Sequence, residues 1–327
     1  MTAPVLMVQG TASSVGKSLV ATALCRIFQR RGLRVAPFKA QNMALNSAVT
    51  PEGGEIGRAQ YVQAEAARVA PHVDMNPVLL KPEGDRRSQV VVLGKPIGSH
   101  TAVDYHAHKP TLRRTVADAL ARLRSRHDLV VIEGAGSPAE VNLREGDIVN
   151  MFVARVAGAP VLLVGDIDRG GVLAAIVGTM ELLVPEERAL VAGFVINKFR
   201  GDVALLQPGL DFLQARCGKP VLGVLPHVPS LRIAEEDSLS LAHRGGPRAV
   251  GPGDLDVAVV RLPRISNYDD VEALEHEAGV VVRFVEHAVA VGDPDLVILP
   301  GSKSTASDLR WLRASGLADV VVARARA

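Results

Sequence analysis

Apolar positions along the 327-residue chain follow two alternating rhythms. Short continuous runs of Val, Leu, Ile and Phe, at residues 5–8, 34–38, 129–132, 161–164, 191–196 and 221–225, read as strands covered on both faces. Between them the apolar residues take helical spacing: Val20, Leu24, Ile27 and Phe28 within 17–30, then the segments 112–124, 172–184 and 203–216. Gly32 stops the first helix, as expected just past a C-terminus. Strands alternating with helices predict an α/β fold, a mostly parallel sheet with helices on both faces.

The rhythm breaks in two places. Residues 40–110 are rich in Asn, Gln, Gly and Pro and keep few apolar runs, among them 90–93; so much polar loop in a compact α/β domain points to function. Residues 227–254 lose periodicity and gather Gly, Pro and charge. Alternation then resumes, with strands at 255–260, 280–285 and 296–299 and helical pieces near 270–278 and 304–313. The expected organisation is a first domain over 1–228, a linker over 229–253, and part of a second α/β domain over 254–327.

Composition narrows the possible partners. Hydrophobic residues make up 48% of the chain, enough for two cores. The net charge of +2 comes from interspersed signs and only 3% of residues are aromatic, so neither the basic stripe nor the stacking platform of a nucleic-acid binder is expected. No stretch is long and apolar enough to cross a bilayer, and the opening segment lacks a basic region before its short apolar run, so no membrane partner is expected. Cys25 and Cys217 form neither a metal-binding nor a disulfide pattern, which suits a reducing compartment and predicts a cytoplasmic protein.

The sharpest chemical signal is Gly10-Thr11-Ala12-Ser13-Ser14-Val15-Gly16-Lys17-Ser18, between the first strand and the first helix. It reads as a phosphate-binding loop. Small residues let backbone N–H groups converge on phosphate oxygens, and the helix N-terminus adds partial positive charge. Thr11, Ser13, Ser14, Val15 and Gly16 then form the nucleotide cradle, Lys17 reaches the β- and γ-phosphates, and Ser18 ligates Mg²⁺. Five residues separate Gly10 from Gly16 where the usual pattern has four. The longer loop resembles that of dethiobiotin synthetase and its relatives, which activate carboxylates with ATP.

A nucleotide loop of this kind works with a carboxylate at a neighbouring strand end, since ligands of open α/β sheets bind there. Glu133 ends a strand in LVVIEGAGSPAE and is the leading candidate for the Mg²⁺ carboxylate. Asp166 and Asp168 end another strand; Asp166 is a second metal candidate, and capping of the next helix is the competing role. Asn197 ends a further strand, where an amide can read a purine edge or simply make a turn. Lys39, across from the loop in the first βαβ unit, suits neutralisation of a transferring phosphoryl group or a substrate carboxylate, with a surface lysine as the competing role, and Glu55 offers a further Mg²⁺ contact or a solvated loop carboxylate.

Longer strings add a resemblance. PFKAQNMALNS (37–47), GGEIGRAQYVQA (53–64), MNPVLLKPEGDRRSQVVVLGKPIG (75–98), IEGAGSPAEVNL (132–143), LVGDIDRGGVLA (163–174), VINKFRGD (195–202), RLPRISNYDD (261–270) and LPGSKSTASDL (299–309) resemble the glutamine-hydrolysing adenosylcobyric acid synthase family, in order and over nearly the whole chain. The resemblance implies a synthetase domain that uses ATP and Mg²⁺ to phosphorylate carboxylates of a corrinoid, adenosylcobyrinic acid a,c-diamide. Ammonia then converts each acyl phosphate to an amide at positions b, d, e and g. Lys17, Lys39 and Glu133 would carry the catalysis, and Gln41, Asn42, Asn46, Asn76, Lys81, Ser88 and Gln89 are candidate contacts for the large polar substrate. Neighbouring readings are cobyrinic acid a,c-diamide synthase, dethiobiotin synthetase and a partition-type ATPase that switches partners. KAQNM and NPVLLKP speak against the first, and the C-terminal segment against the second.

Family members obtain ammonia from glutamine in a C-terminal class I glutaminase domain, with a cysteine nucleophile in a tight turn after a strand. Cys25 falls within the first helix and Cys217 in RCGKP before a strand of the first domain, so both read as packing thiols. The sequence therefore leads to the expectation of an incomplete glutaminase domain and of ammonia, rather than glutamine, as the nitrogen source for these residues.

Overall fold

The computed structural model describes residues 2–84, 87–228 and 249–326. Most of the expected linker, residues 229–248, lies outside the described residues. The chain opens with β1 (Val5–Gly10), α1 (Lys17–Arg30) and β2 (Val35–Phe38), then runs through β3 (Gln41–Met43), β4 (Ser47–Val49), β5 (Glu55–Gly57) and α2 (Arg58–Ala67). β6 (Val78–Pro82), β7 (Arg87–Val92) and β8 (Lys95–Thr101) precede the long α3 (Ala102–Arg126). Next come β9 (Leu129–Glu133), α4 (Met151–Ala157), β10 (Val161–Asp166), α5 (Val172–Leu182), α6 (Pro185–Leu190), β11 (Val191–Phe199), α7 (Val203–Cys217) and β12 (Val221–Pro226). The last unit holds β13 (Leu255–Val260), α8 (Glu272–Glu275), β14 (Val280–Val285), α9 (Ala288–Val291), β15 (Leu296–Ile298), α10 (Thr305–Ala314) and α11 (Leu317–Arg326).

Six strands form one parallel sheet in the order β12-β11-β10-β1-β9-β2. Alternate residues of the central strands feed different cores. Val5, Met7, Val130 and Ile132 join one cluster with α3, α4 and α5, while Val8, Leu129 and Val131 join another with Val20, Ala21 and Cys25 of α1. Burial on both sides is what the unbroken Val/Ile/Leu runs require. Pro37, which has no N–H to give a second neighbour, sits in β2 at the sheet edge.

The polar stretch after β2 is ordered, and more regular than its composition suggests. β3, β6, β7 and β8 make a four-stranded sheet, and β4 and β5 an antiparallel hairpin. Its strands β3, β4 and β5 are three residues long, too short to display a period of two. The buried face of α2 is Ala59, Gln60, Gln63, Ala64 and Ala67, a helical stripe in which amides replace hydrophobes. α3 begins ten residues before the expected 112, because Thr101 and Asp104 close a capping box ahead of its apolar stripe.

The C-terminal unit is a three-stranded parallel sheet, β14-β13-β15, with its own core around Ala258, Val260, Tyr268, Val285 and Leu312. It meets the polar region of the first unit directly. Lys303 Nζ donates to Gln89 Oε1 at 2.6 Å, Ser304 Oγ to the Glu83 carbonyl at 3.0 Å, and Arg58 pairs with Asp269 at 2.8 Å.

Candidate nucleotide and phosphoryl-transfer site

The phosphate loop occupies the C-terminal end of β1, at the centre of the sheet. Two of its residues have left-handed backbone, Ser14 at φ 59° and Gly16 at φ 101°. Gly16 is fixed from outside: Asn197 Nδ2 donates to the Val15 carbonyl at 2.9 Å, and a Cβ on Gly16 would lie 2.1 Å from that nitrogen. Lys198 donates to the Ser14 carbonyl at 2.9 Å and to Asp166 Oδ2 at 2.7 Å. The end of β11 therefore clamps the loop from its far side.

Lys17 is 7% exposed and donates to the carbonyls of Ala12 at 2.8 Å and Gly136 at 3.0 Å, bridging the loop to the turn after β9. That turn is tight. The Asn150 amide exchanges hydrogen bonds with the Ala135 backbone, and a Cβ at Gly134 would meet Asn150 Oδ1 at 2.4 Å.

Glu133 is the centre of the arrangement. Its Oε1 accepts from Ser18 Oγ at 2.8 Å and from Lys39 Nζ at 3.1 Å, and its Oε2 accepts from Gln63 Nε2. Glu133 is 1% and Lys39 4% exposed. Burial alone would push the carboxyl upward. The Lys39 charge, with hydrogen bonds from Gln63, Ser18 and Lys39, outweighs burial and holds it below the ordinary carboxylate range. Glu133 is thus an anion at neutral pH. The same carboxylate, after burial, raises the Cys25 thiol to about 12, so Cys25 is an inert packing group.

A hydroxyl and an ionised carboxylate this close are hard oxygen donors of the kind that hold Mg²⁺ together with phosphate oxygens, so the residues present fit the ion. Glu55 and Asp166 do not join them. Glu55 Oε1 is engaged by Lys81 Nζ and Ser47 Oγ in a second cluster, where burial is overcome by these two partners and its carboxyl falls below the usual value. Asp166 holds Lys198 and accepts from the Asp168 N–H at 2.9 Å, a brace for the phosphate loop. Nor does either aspartate cap the following helix, whose N-cap is Gly171 without a side-chain bond. Among the described residues, no three His, Cys, Asp or Glu side chains converge on one metal position.

The expected substrate contacts divide by role. Asn76 donates to the carbonyls of Lys39 and Val78 and accepts from the Gly57 N–H, so its amide staples β2, β5 and β6 and offers nothing outward. Asn42 donates to Gln60 Oε1 at 3.0 Å, and the Asn46 carbonyl accepts from the Arg58 N–H at 3.3 Å at the start of α2. Gln41 accepts from the Tyr105 hydroxyl, whose acidity burial lowers further. Lys81 is buried beside Glu55. Ser88 stands on β7 next to Gln89, which accepts from Lys303.

Three residues of the site carry no sequence signal by themselves: Gln9, Gln60 and Gln63. All are fully buried, and Gln9 Oε1, Gln60 Nε2 and Gln63 Oε1 have no hydrogen-bond partner. Each of the three is satisfied on its other side-chain atom: Gln9 Nε2 lies 3.4 Å from Met7 Sδ, Gln60 Oε1 accepts from Asn42, and Gln63 Nε2 donates to Glu133. An amide repeated at i, i+3 on an otherwise Ala-lined helix face was the available clue. A cavity of about 570 Å³ lies over the ends of β11 and β12, lined by Phe199, Arg200, Val203, Pro226 and His227, beyond Asn197 and Lys198.

Fold and site define a P-loop nucleotide-binding domain joined to part of a second α/β unit. The sequence profile of the CobQ/CobB/MinD/ParA nucleotide binding domain matches residues 6–241, and the chain belongs to that family; the profile of the CobB/CobQ-like glutamine amidotransferase domain matches residues 256–327. Within it, the chain is similar to proteins named cobyric acid synthase. That of Sorangium cellulosum is 72% identical over 326 residues, covering 100% of this chain and 63% of the relative. Those of Moorella thermoacetica and Desulforudis audaxviator are 60% and 62% identical, covering 96% and 97% of this chain and 61% and 64% of theirs. The chain thus spans a little under two thirds of the length of these relatives. Among solved structures, the signal recognition particle receptor FtsY of Elizabethkingia anophelis in complex with GDP is 17% identical, covering 68% of this chain and 56% of that one at a TM-score of 0.38. No helix among the described residues is long and apolar enough to cross a membrane.

Proposed function

We propose that this chain carries the ATP-dependent synthetase of a cobyric acid synthase, amidating the b, d, e and g carboxylates of adenosylcobyrinic acid a,c-diamide in cobalamin biosynthesis. Residues 1–228 form the synthetase domain, 229–253 the linker and 254–327 the start of the glutamine amidotransferase domain. The observation that carries the reading is the convergence of Lys17, Ser18, Lys39 and Glu133 at the end of the lengthened phosphate loop.

A carboxylate is a poor electrophile, and phosphorylation replaces an oxide leaving group by phosphate. A substrate carboxylate oxygen attacks the γ-phosphorus of ATP, the bond to the β-phosphate oxygen breaks, and ADP departs. Ammonia adds to the carbonyl carbon of the acyl phosphate, loses a proton, and expels phosphate as the C–O bond to phosphorus breaks, leaving the amide. Lys17 binds the β- and γ-phosphates, and Lys39, held by Glu133, offsets charge on the transferring group. Ser18 and Glu133 would hold Mg²⁺, which supplies charge neutralisation between the phosphates. The cavity lined by Phe199 and Pro226, beside the Asn197 end of β11, is the candidate space for the base, with Asn197 itself bracing the loop through Val15.

Cys25 and Cys217 both have thiols raised by burial, and neither is placed as a glutaminase nucleophile, so ammonium is the nitrogen source for these residues. Two unpaired thiols agree with the cytoplasm. The test is incubation with MgATP, the corrinoid diamide and ammonium, followed by mass spectrometry for stepwise single amidations with matching ADP. Glutamine in place of ammonium is expected to give no product. Nucleotide-dependent dimerisation without corrinoid turnover would replace this reading by that of a partner-switching ATPase.

A further inference from the structure

One of the contacts between the C-terminal unit and the first unit falls on α2, a helix that also touches the Glu133 carboxylate. Arg58 is the first residue of α2, and its guanidinium lies 2.8 Å from Asp269, whose side chain is 7% exposed. Five residues on, about 7.5 Å along the same helix, Gln63 donates to Glu133 Oε2. α2 is therefore a short rod held at its first residue by the C-terminal unit and near its middle by the phosphoryl-transfer site.

The N-terminal end of the rod has little slack. Gly57 donates to Asn76 Oδ1 at 2.9 Å, and a Cβ there would lie 2.3 Å from Asn42 Nδ2 and 2.8 Å from Gln60 Oε1. Asn267, left-handed at φ 53°, accepts from the Ser47 N–H on the adjoining hairpin at 3.5 Å. Arg58 also stacks over Tyr61, 5.3 Å from its centroid, which fixes the guanidinium toward the C-terminal unit. The ion pair is a contact of charge: neither Arg58 Nε nor Asp269 Oδ1 has an aligned hydrogen bond. With Asp269 nearly buried and Arg58 partly exposed, the pair exists only while the two surfaces are together.

We propose that Arg58 and Asp269 are positioning residues which couple docking of the C-terminal unit to the orientation of Gln63 on Glu133, so that nucleotide binding and the seating of residues 255–326 reinforce each other. Coupling of this type is reciprocal: whatever nucleotide gains from the docked unit, docking gains from nucleotide. The inference rests on the reading of Glu133 as part of the MgATP site.

The lone tryptophan of the chain, Trp311, is partly buried on α10 against the core of the C-terminal unit and reports on it from outside the nucleotide site. Calorimetry with MgATP on the 327-residue protein gives the affinity, and Trp311 emission during the same titration gives the response of the C-terminal unit. Wild type is expected to bind and to change its emission. D269N and R58Q are each expected to bind MgATP roughly 5-fold or more weakly, with the circular dichroism spectrum of the wild type and no Trp311 response. The exchanged pair R58D/D269R is expected to regain part of both signals, which a merely structural loss would not do. Binding by wild type together with unchanged affinity and emission in both single variants overturns the coupling while leaving the nucleotide reading intact. Absence of binding by wild type overturns both.

Discussion

Lys39→Met tests the electrostatic centre of the site. In the native protein the Lys39 ammonium lies 3.1 Å from a carboxylate that is 1% exposed, and it is the largest influence holding that carboxyl down against burial. Methionine keeps the length and apolar stem of lysine and removes the charge. Breaking a buried ion pair from one side costs about 3–5 kcal/mol, because the remaining charge keeps its desolvation penalty. With a urea slope of about 3 kcal/mol/M, the unfolding midpoint is expected to fall by at least about 1 M. Urea titration followed by far-ultraviolet circular dichroism reads it. The pH dependence should change sign. In wild type the folded carboxyl is below its unfolded value, so its contribution is present above the unfolded pKa and fades as pH falls through the folded one. In K39M burial pushes the carboxyl above the unfolded value, and the variant should gain stability relative to wild type as pH falls. The double variant K39M/E133Q should recover a large part of the loss. A K39M midpoint within about 0.3 M of wild type, or a double variant no better than the single, refutes the assignment of a buried, mutually dependent pair.

Gly16→Ala places a Cβ 2.1 Å from Asn197 Nδ2 on a residue at φ 101°; calorimetry should show MgATP affinity reduced at least about 10-fold, with a stability cost of about 1–3 kcal/mol. Lys17→Ala should lower the rate of ADP formation by about 10²–10³-fold, measured under saturating substrates; a loss under about 5-fold would remove Lys17 from phosphoryl transfer. Cys25, with its thiol at about 12, should resist a disulfide reagent at pH 8 in the folded protein and react once urea unfolds it, as peptide mapping would show. Rapid native labelling of Cys25 would mean that α1 does not seal it.

The central sheet was legible because its strands are buried on both faces and are written as unbroken apolar runs, and the phosphate loop because its backbone path requires glycine at fixed places. Lys39 and Glu133 were readable from strand ends, since parallel strands deliver their C-terminal residues to a common edge. Glu55 was a metal candidate from the polar loop and Asp166 from a strand end, and neither position reveals a partner: Lys81 and Ser47 hold the one, Lys198 the other. Between β2 and α3 the pattern failed because polar side chains replace hydrophobes inside. Asn76, Gln60 and Gln63 are buried at 1% exposure or less and find partners that are distant in sequence.

The sequence by itself thus determined the doubly covered sheet, the position and length of the phosphate loop, and the carboxylate and lysine that face it, since each is a local consequence of periodicity or backbone geometry. Only the tertiary structure decided which partners the buried amides take, that α2 carries Gln63 to Glu133, and that the C-terminal unit grips that helix through Asp269. Hydrogen bonds and ion pairs join residues whose separation along the chain has no bearing on their distance in space, and a buried polar group becomes either mortar or binding site according to which neighbours the fold supplies.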